Sequence, residues 1–340
     1  MPDYEAMPLF FEEAEYETMK MLVKMSDIQL LKAMSQFLIK MYGKENIVMR
    51  KGQFVSAKGN IPLVLVAHLD TVFATPPNDI HDIFFDREQG IMLSTKGLGA
   101  DDRAGVFGII QIVSNMREDK KPSVLFTMGE ETGGIGASAA IKYPVKKLFG
   151  EKPKYIVELD RQGANDCVFY QCDNKQFVEY VESFGFIEDW GSFSDISILC
   201  PAWKCAGVNL SIGYLNEHSK GELLFVENMM DTISKVQDMI DDIDSAPYFK
   251  YIPAPLYRYM RGAWYNDYPK DNYMTCEICG RKSLFCFPVT NTLGTLSDIC
   301  PDCYTEYTCL CPKCEQPFIL TEEDLMNSNF ICKKCQKDDV

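Results

Sequence analysis

The sequence feature that most constrains the fold is residues 63–67, Leu-Val-Leu-Val-Ala, which lead directly into His68 and then Asp70. Five consecutive apolar residues of this kind are typical of a strand that is buried on both faces of a sheet. Polar side chains that follow such a strand lie at the carboxyl edge of an α/β sheet, where these folds build their sites. The run therefore predicts an α/β fold with a site near His68.

Strand-like and helix-like segments alternate from about residue 20 to residue 243. Ser26 is a candidate helix N-cap, and Gly43 is a candidate helix stop. The predicted strands are 47–50, 54–57, 63–67, 83–85, 91–94, 123–128, 155–159, 168–171 and 207–212, and the predicted helices are 10–41, one beginning near Asp102, 136–142, 175–184 and 225–243. This order predicts a three-layer α/β/α domain whose central sheet is mixed but mainly parallel.

Composition limits the class of protein. The chain has 340 residues, 46% hydrophobic residues and a formal charge of -15, so it can build a large core and should repel phosphate backbones. No apolar run is long enough for a membrane helix, and the acidic N-terminus is unlike a signal peptide. Eight of the fourteen cysteines form four Cys-x-x-Cys pairs, which suit metal binding better than disulfides. We therefore expect a reducing compartment, the cytoplasm.

Five candidate metal ligands follow predicted strands or precede predicted helices. In a doubly wound sheet such positions converge on one edge, although they are far apart in sequence. Two imidazoles and three carboxylates suit two zinc ions, or cobalt or manganese in their place. The ligands are His68, Asp101, Glu131, Asp160 and His218.

Each of these residues also has a simpler interpretation. A single histidine after a strand is more often a hydrogen-bonded loop residue, and adjacent acids such as Asp101-Asp102 are usually solvated charges or helix caps. Their shared placement at strand ends favours the metal site. His81 has no such context, and we interpret it as an ordinary loop residue.

Five short segments resemble the signatures of the co-catalytic dizinc exopeptidases, a superfamily that includes leucyl-aminopeptidase-like enzymes, peptidase T and the glutamate carboxypeptidase group. The resemblance covers about residues 20–243, in the order of the superfamily. The segments are His68-Leu-Asp70, Gly99-Ala-Asp-Asp-Arg-Ala-Gly105, Gly129-Glu-Glu-Thr132, Glu158-Leu-Asp160 and Glu217-His-Ser219.

The resemblance implies a role for each ligand. His68 and Asp160 would hold one metal ion, Glu131 and His218 would hold the other, and Asp101 would bridge them. The Asp101–Asp102 peptide is often cis in such enzymes. We expect hydrolysis of a peptide bond by a water shared between the two ions.

Two further residues have roles that the resemblance implies. Glu130 would be the general base that moves a proton from the water to the leaving amine. Asp70 would orient His68 and fix its tautomer. Ser194, Asp195 and Tyr214 lie where substrate contacts could form, but they are equally well explained as loop and cap residues.

The spacing of the ligands indicates which branch is closest. Members that resemble carboxypeptidases usually carry a lid or dimerisation domain between the fourth and fifth ligands. Here 57 residues separate Asp160 from His218, so we expect no lid domain. This compact arrangement resembles the aminopeptidase branch, while the Ala-Asp-Asp-Arg-Ala-Gly segment is also similar to the tripeptidase branch and to the aminopeptidases that form larger tetrahedral oligomers.

The C-terminal region predicts a second kind of metal site. Twenty residues separate the first cysteine pair from the second, and seventeen separate the third from the fourth, as in four-thiolate zinc ribbons. Whether consecutive or alternating pairs share an ion stays open. The proposed ligands of two structural zinc ions are Cys276, Cys279, Cys300, Cys303, Cys311, Cys314, Cys332 and Cys335.

This tail is acidic, with seven basic and eleven acidic residues after residue 269, which disfavours nucleic-acid binding. Contact with a protein partner, homo-oligomerisation or coverage of the active-site edge fits better. The expected domains are a catalytic domain at 1–244, a Tyr/Pro-rich linker at 245–273 and the double zinc-binding domain at 274–340.

The favoured interpretation is therefore a cytoplasmic dizinc exopeptidase, an aminopeptidase on short peptides, with a small zinc-ribbon tail whose ions are each held by four cysteines. One alternative is a related amidohydrolase that acts on an N-acyl amino acid or a carboxypeptidase-type substrate. The other is an interaction protein in which the tail matters and the peptidase domain is an inactive scaffold.

Overall fold

The chain is described by a computed structural model. It describes residues 11–73 and 82–254, and in the C-terminal region 274–278, 282–283, 287–291, 296–299, 308–310, 313, 317–319 and 335. His81 and six of the predicted zinc-ribbon cysteines lie outside the described residues, namely Cys279, Cys300, Cys303, Cys311, Cys314 and Cys332. Contacts between residues divide the chain into two compact units, 1–259 and 260–340.

The first unit alternates helices and strands, as predicted. The described helices are α1 (Glu13–Lys24), α2 (Asp27–Tyr42), α3 (Ala100–Asn115), α4 (Ile135–Ala140), α5 (Val145–Phe149), α6 (Lys175–Glu182), α7 (Ile196–Trp203) and α8 (Val226–Asp241). The described strands are β1 (Ile47–Arg50), β2 (Phe54–Ala57), β3 (Leu63–His68), β4 (Ile83–Asp86), β5 (Ile91–Ser94), β6 (Ser123–Thr127), β7 (Tyr155–Arg161), β8 (Asp166–Val168), β9 (Ile187–Glu188), β10 (Gly207–Ser211), β11 (Tyr214–Leu215) and β12 (Leu223–Phe225).

Local signals set several of these boundaries. Ser26 is the N-cap of α2, where its backbone N–H donates to Gln29 Oε1 at 2.9 Å. Gly43, with φ 81°, ends the same helix. The strand predicted at 168–171 is wrong, because β8 ends at Val168 and Tyr170 takes a left-handed backbone conformation with φ 50°.

Among the described strands, eight form the central sheet in the order β1-β2-β6-β3-β7-β10-β8-β9. The inner strands β6, β3, β7 and β10 are parallel neighbours. At one side of the sheet β1 and β2 pair antiparallel to the strands beside them, and at the other side β8 pairs antiparallel to β10 and parallel to β9. The sheet is therefore mixed, with a parallel centre that brings four carboxyl ends to one edge.

Apolar residues cover both faces of this sheet. Along β3, Leu63 and Leu65 pack into a core with α1, α2, α3, α6 and α8. The alternate residues Val64 and Val66 pack into a second core with α4, α5 and α7. This alternation confirms the three-layer α/β/α fold, since successive strand residues point to opposite faces.

A smaller sheet lies outside the central one. Its order is β11-β12-β5-β4, so the predicted β4–β5 hairpin is joined by a second hairpin that the sequence did not indicate. His218 lies in the loop between β11 and β12. Residues 161–217 are all described and form strands and helices of the main domain, without an inserted lid domain.

Residues 246–254 continue along the first unit after the last helix. Ala246 and Phe249 are buried in its core. Backbone N–H groups of Phe249 and Ala254 donate to the carbonyls of Lys154 and Gln171, at 2.9 and 2.8 Å. The first part of the predicted linker is therefore packed on the first unit.

The second unit contains short strands in its described parts. They are β13 (Met274–Thr275), β14 (Lys282–Ser283), β15 (Phe287–Asn291), β16 (Leu296–Ile299), β17 (Thr308–Leu310) and β18 (Pro317–Ile319). β13 pairs with β14, and the others form a sheet in the order β16-β15-β18-β17. Cys276 and Cys335 are buried here. In neither unit do the described residues include a helix that is both long and apolar enough to cross a bilayer.

Candidate metal centre

The carboxyl edge of the central sheet places the first two predicted ligands side by side. His68 ends β3, and Asp160 lies near the end of the neighbouring parallel strand β7, whose Glu158 is in register with Val66. His68 Nε2 lies 3.3 Å from Asp160 Oδ1 and 2.9 Å from Asp101 Oδ1. The convergence expected at this edge is present.

Asp101 faces both histidines with different oxygens. Its Oδ1 lies 2.9 Å from His68 Nε2, and its Oδ2 lies 3.2 Å from His218 Nε2. The Asp101–Asp102 peptide, at the start of α3, is cis. A carboxylate placed in this way can bridge two centres.

His218 and Glu131 form the other half of the cluster. His218 Nε2 lies 2.9 Å from Glu131 Oε2 and 3.1 Å from Glu131 Oε1. The His218 side chain is 52% exposed, whereas those of Glu131 and Asp101 are 9% exposed. The two acids are thus withdrawn from solvent, and His218 reaches them from the loop of the small sheet.

The crowded charges alter the pKa of most of these groups. Burial opposes ionisation of Asp101, but hydrogen bonds with His218 and His68 lower its pKa. The hydrogen bond with Asp101 raises the pKa of His218 to about 9. Burial would lower the pKa of His68, yet the charge of Asp160 and the bond with Asp101 raise it well above its usual value.

Three other acids of the site have raised pKa values, in contrast to Asp101. Burial raises the pKa of Asp160 to about 7. Burial, with the nearby charge of Asp160, raises the pKa of Glu130 to about 9. The pKa of Glu131 is also raised, by burial and by the charge of Asp101. These carboxylates are largely withdrawn from solvent and repel one another, so a positive charge between them would stabilise their ionised form.

Asp70 fixes the loop that carries Glu130 and Glu131. Its Oδ1 accepts from the backbone N–H groups of Gly129 at 2.7 Å and Glu130 at 3.3 Å, and its Oδ2 accepts from that of Glu131 at 3.2 Å. His68 Nδ1 lies 3.0 Å from the Asp70 carbonyl oxygen and 3.6 Å from its carboxylate. Asp70 therefore links the end of β3 to the loop after β6.

Two acids that the sequence analysis did not single out hold the segment around Asp101. Asp102 accepts from the backbone N–H groups of His68, at 3.1 Å, and Gly105, at 3.0 Å. Glu222, fully buried, accepts from the N–H groups of Gly99 and Asp101. Its pKa rises to about 7, mainly through burial. Glu222 lies far from Asp101 in sequence and belongs to no motif, so no signal was present to find it.

Asp160 is held by two residues of the strands beside and beyond it. Asn209, on β10, accepts from the Asp160 N–H at 2.8 Å and donates to its carbonyl oxygen at 2.8 Å. Tyr214, on β11, donates its hydroxyl to Asp160 Oδ1 at 3.2 Å. Tyr214, which the sequence analysis placed near possible substrate contacts, thus contacts the candidate metal ligand Asp160.

Ser194 and Asp195 are fully buried beneath the site. Ser194 Oγ donates to Glu158, and Thr127 Oγ1 donates to Asp195. They bind the N-terminus of α7 to the ends of β7 and β6. As loop and cap residues, they tie the sheet to the helix layer.

The donor set fits zinc. The ligand atoms of His68, Asp101 and Glu131 lie within 4.8 Å of one another, and so do those of His68, Asp102 and Asp160. Imidazole nitrogen and carboxylate oxygen are the donors that zinc takes in catalytic sites. Of the two neighbouring aspartates, Asp101 is the better ligand, because both oxygens of Asp102 already accept backbone N–H groups.

Comparison with known proteins gives fold similarity at low sequence identity. No protein-family profile matches the chain, and no curated protein matches its sequence. Solved structures do match. A tripeptidase from Staphylococcus aureus is 14% identical with a TM-score of 0.52, and the match covers 68% of this chain and 98% of the tripeptidase.

Two archaeal enzymes match over a similar share of this chain. A TET aminopeptidase from the marine sediment archaeon Thaumarchaeota archaeon SCGC AB-539-E09 is 15% identical, with a TM-score of 0.51. The match covers 69% of this chain and 99% of the TET aminopeptidase. An aminopeptidase from Desulfurococcus kamchatkensis is 11% identical, with a TM-score of 0.50. The match covers 69% of this chain and 98% of that aminopeptidase. The chain therefore has the fold of the exopeptidase superfamily that its sequence motifs resemble.

Proposed function

We propose that this protein is a two-zinc aminopeptidase that removes the N-terminal residue from short peptides. The observation that carries the proposal is the placement of Asp101 between two histidines, with one carboxylate oxygen facing each. His68 and Asp160 would hold one zinc ion, Glu131 and His218 the other, and Asp101 would bridge them. When bound, the ions would polarise the scissile carbonyl and lower the pKa of water.

Glu130 is the proposed general base. It directly precedes Glu131 in the loop that Asp70 holds, and the three backbone bonds that Asp70 accepts from this loop do not involve the Glu130 carboxylate. Its carboxylate is therefore available to take a proton from water and give it to the leaving amine. Glu130 is half-buried, which limits the contact of its carboxylate with bulk water.

The electrostatics of the site favour an amino terminus over a carboxyl terminus in the substrate. The cluster combines many carboxylates with two histidines, and the arginines next to ligands are already engaged. Arg103 donates to Asp27 Oδ1 at 2.9 Å, and Arg161 pairs with Asp189. With two zinc ions bound, much of the carboxylate charge would be neutralised, but neither of these arginines is free to pair with a substrate carboxylate, and the carboxylates that hold no ion would attract a substrate ammonium group.

A substrate panel tests this proposal. The zinc-loaded full chain should release the N-terminal residue from peptides and aminoacyl amides. It should leave the same peptides intact once their amino terminus is acetylated. Faster hydrolysis of the acetylated series would instead identify an amidohydrolase, and no hydrolysis of either series with zinc, cobalt or manganese would overturn the enzymatic proposal.

The tail is proposed to bind two structural zinc ions through its four Cys-x-x-Cys pairs. The burial of Cys276 and Cys335 among short strands supports this proposal. A unit of this size commonly depends on metal for stability. We also propose that the tail contacts a protein partner or a second copy of the chain, and that the protein acts in the cytoplasm.

A further inference from the structure

The loop between β9 and α7, residues 189–195, is fixed at both ends beside the candidate site. At its start, Asp189 forms an ion pair with Arg161, the residue after Asp160. At its end, Ser194 and Asp195 are bonded to Glu158 and Thr127 on the central strands. The ion pair at the start is near the surface and the bonds at the end are buried, and together they give the loop a defined position at the carboxyl edge of the sheet.

This position brings Phe193 against the loop that carries Glu130. A Cβ atom built on Gly134 would lie 3.1 Å from Phe193 Cζ and 2.4 Å from Ile198 Cδ1, so the two side chains touch the backbone of that loop. The N–H of Gly134 donates to the carbonyl oxygen of Glu130 at 3.2 Å. Only the turn from Glu130 to Gly134 therefore separates Phe193 from Glu130, the proposed base.

Ile135 extends the same apolar surface. Its N–H donates to the Gly129 carbonyl oxygen at 3.0 Å, and a Cβ on Gly129 would lie 2.9 Å from Ile135 Cβ. Gly129 directly precedes Glu130 in the chain. Ile135, the first residue of α4, is 47% exposed, and Phe193, in the loop before α7, is 41% exposed, although most other apolar residues of these two helices are buried.

We propose that Phe193, Ile135 and Ile198 form a subsite for a large apolar side chain on the N-terminal residue of the substrate. This proposal rests on the proposed aminopeptidase activity. An apolar wall beside a cluster of carboxylates can bind a residue that carries both an ammonium group and an aliphatic or aromatic side chain. Exposed apolar groups at this position lose their contact with water when such a side chain is bound.

The test compares leucine with alanine at the N-terminus, in hydrolysis and in binding. For hydrolysis, kcat/KM of the zinc-loaded full chain is measured for leucyl and alanyl 4-methylcoumaryl amides. Loss of contact with a side chain of this size typically changes such a preference about 10-fold. We expect the leucine-to-alanine ratio of kcat/KM to fall by about that factor in Phe193→Ser and in Ile135→Thr, of which the first alters the loop before α7 and the second alters α4.

Ile187→Thr is the matched control. Ile187 is 64% exposed on β9, near the same loop in sequence, but none of the contacts described above with the Glu130 loop involves it. For this variant the ratio of kcat/KM for the leucyl amide to kcat/KM for the alanyl amide should equal that of the wild type. An unchanged ratio in both test variants would overturn the subsite, as would a fall of the same size in the control.

A binding measurement tests the subsite independently of the proposed peptidase activity. Leucinamide and alaninamide are titrated calorimetrically into Glu130→Gln, and then into the same chain with Phe193→Ser added. A preference for leucinamide that Phe193→Ser removes supports the subsite, even if the wild type hydrolyses nothing and the proposed activity fails. Equal binding, or binding of neither amide, overturns the subsite whatever the activity.

A second copy of the chain is the other occupant that this surface could take. Sedimentation of the wild type and of Phe193→Ser decides between them. If the variant dissociates an oligomer while the leucine-to-alanine ratio stays constant, the surface is an interface and the subsite is wrong.

Discussion

Glu222 holds the backbone of Asp101 through two N–H groups that would otherwise be buried without a partner. The Glu222→Gln variant replaces one accepting oxygen by an NH₂ group, which cannot accept from an N–H donor. Residues that orient metal ligands typically change metal affinity by about 10–100-fold when they are altered. We expect zinc affinity of the catalytic unit to fall by about that factor, measured by competition with a chelator.

The control for Glu222→Gln is Glu227→Gln, in the first turn of α8, where no candidate ligand is held. Its zinc affinity should match the wild type. Equal affinities in Glu222→Gln and Glu227→Gln would show that the two N–H bonds of Glu222 do not position Asp101.

Glu130→Gln separates catalysis from metal binding. The amide keeps the shape of the side chain but cannot accept a proton, and general-base catalysis typically contributes about 10²–10⁴-fold to a rate. We expect kcat to fall by about that factor while the zinc content remains that of the wild type. Wild-type turnover in this variant would show that Glu130 is not the base.

At the scale of elements, the contact of α3 with β7 depends on the absence of a side chain at Gly105. A Cβ there would lie 2.0 Å from the Leu159 carbonyl oxygen and 2.4 Å from Asp102 Oδ1. Gly105→Ala should therefore destabilise the domain by about 1–3 kcal/mol or more, since backbone must move to admit the methyl group. Urea unfolding followed by tryptophan fluorescence measures the change.

Gly108→Ala, one turn later in α3, is the matched control. Its Cβ would meet Leu159 Cδ1 at 3.2 Å, a side-chain end that can rotate away. Alanine also stabilises a helix interior by about 1 kcal/mol relative to glycine. The free energy of unfolding should change by less than about 1 kcal/mol, and a loss equal to that of Gly105→Ala would contradict the role of Gly105.

At the scale of the whole molecule, the two kinds of metal site should be separable by zinc content. The full chain should hold about four zinc ions, two on nitrogen and oxygen ligands and two on thiolates. Cys276→Ser should lower the content while leaving peptidase activity measurable, whereas Asp101→Asn should remove the activity and leave the thiolate-bound zinc. Metal analysis and the leucyl amide assay measure both outcomes.

Cys167→Ala is the control for the zinc count. Cys167 is buried on β8, where burial raises the pKa of its thiol to about 12 and keeps it protonated. Its zinc content should equal that of the wild type. If Cys276→Ser also retains all of its zinc, the tail does not bind metal through that thiolate.

The sequence by itself determined the layers of the catalytic unit and the identity of the residues that meet at its edge. Buried strands such as β3 are continuous apolar runs, and the hydrophobic effect acts on such a pattern wherever it lies in a chain. The motifs around His68, Asp101, Glu131 and Asp160 are local, so the chain shows them directly. The bounds of β1, β2 and β5 were likewise predictable from alternation and turn residues.

Only the tertiary structure decided which groups hold those ligands in place. Glu222, Asn209 and Asp195 each bond to a residue that is far away in sequence. The hairpin that carries His218 is stabilised by pairing with β5, whose partner is likewise distant. Contacts of this kind leave no periodic pattern in the chain, because their energy depends on burial and hydrogen-bond geometry that exist only after the layers have packed.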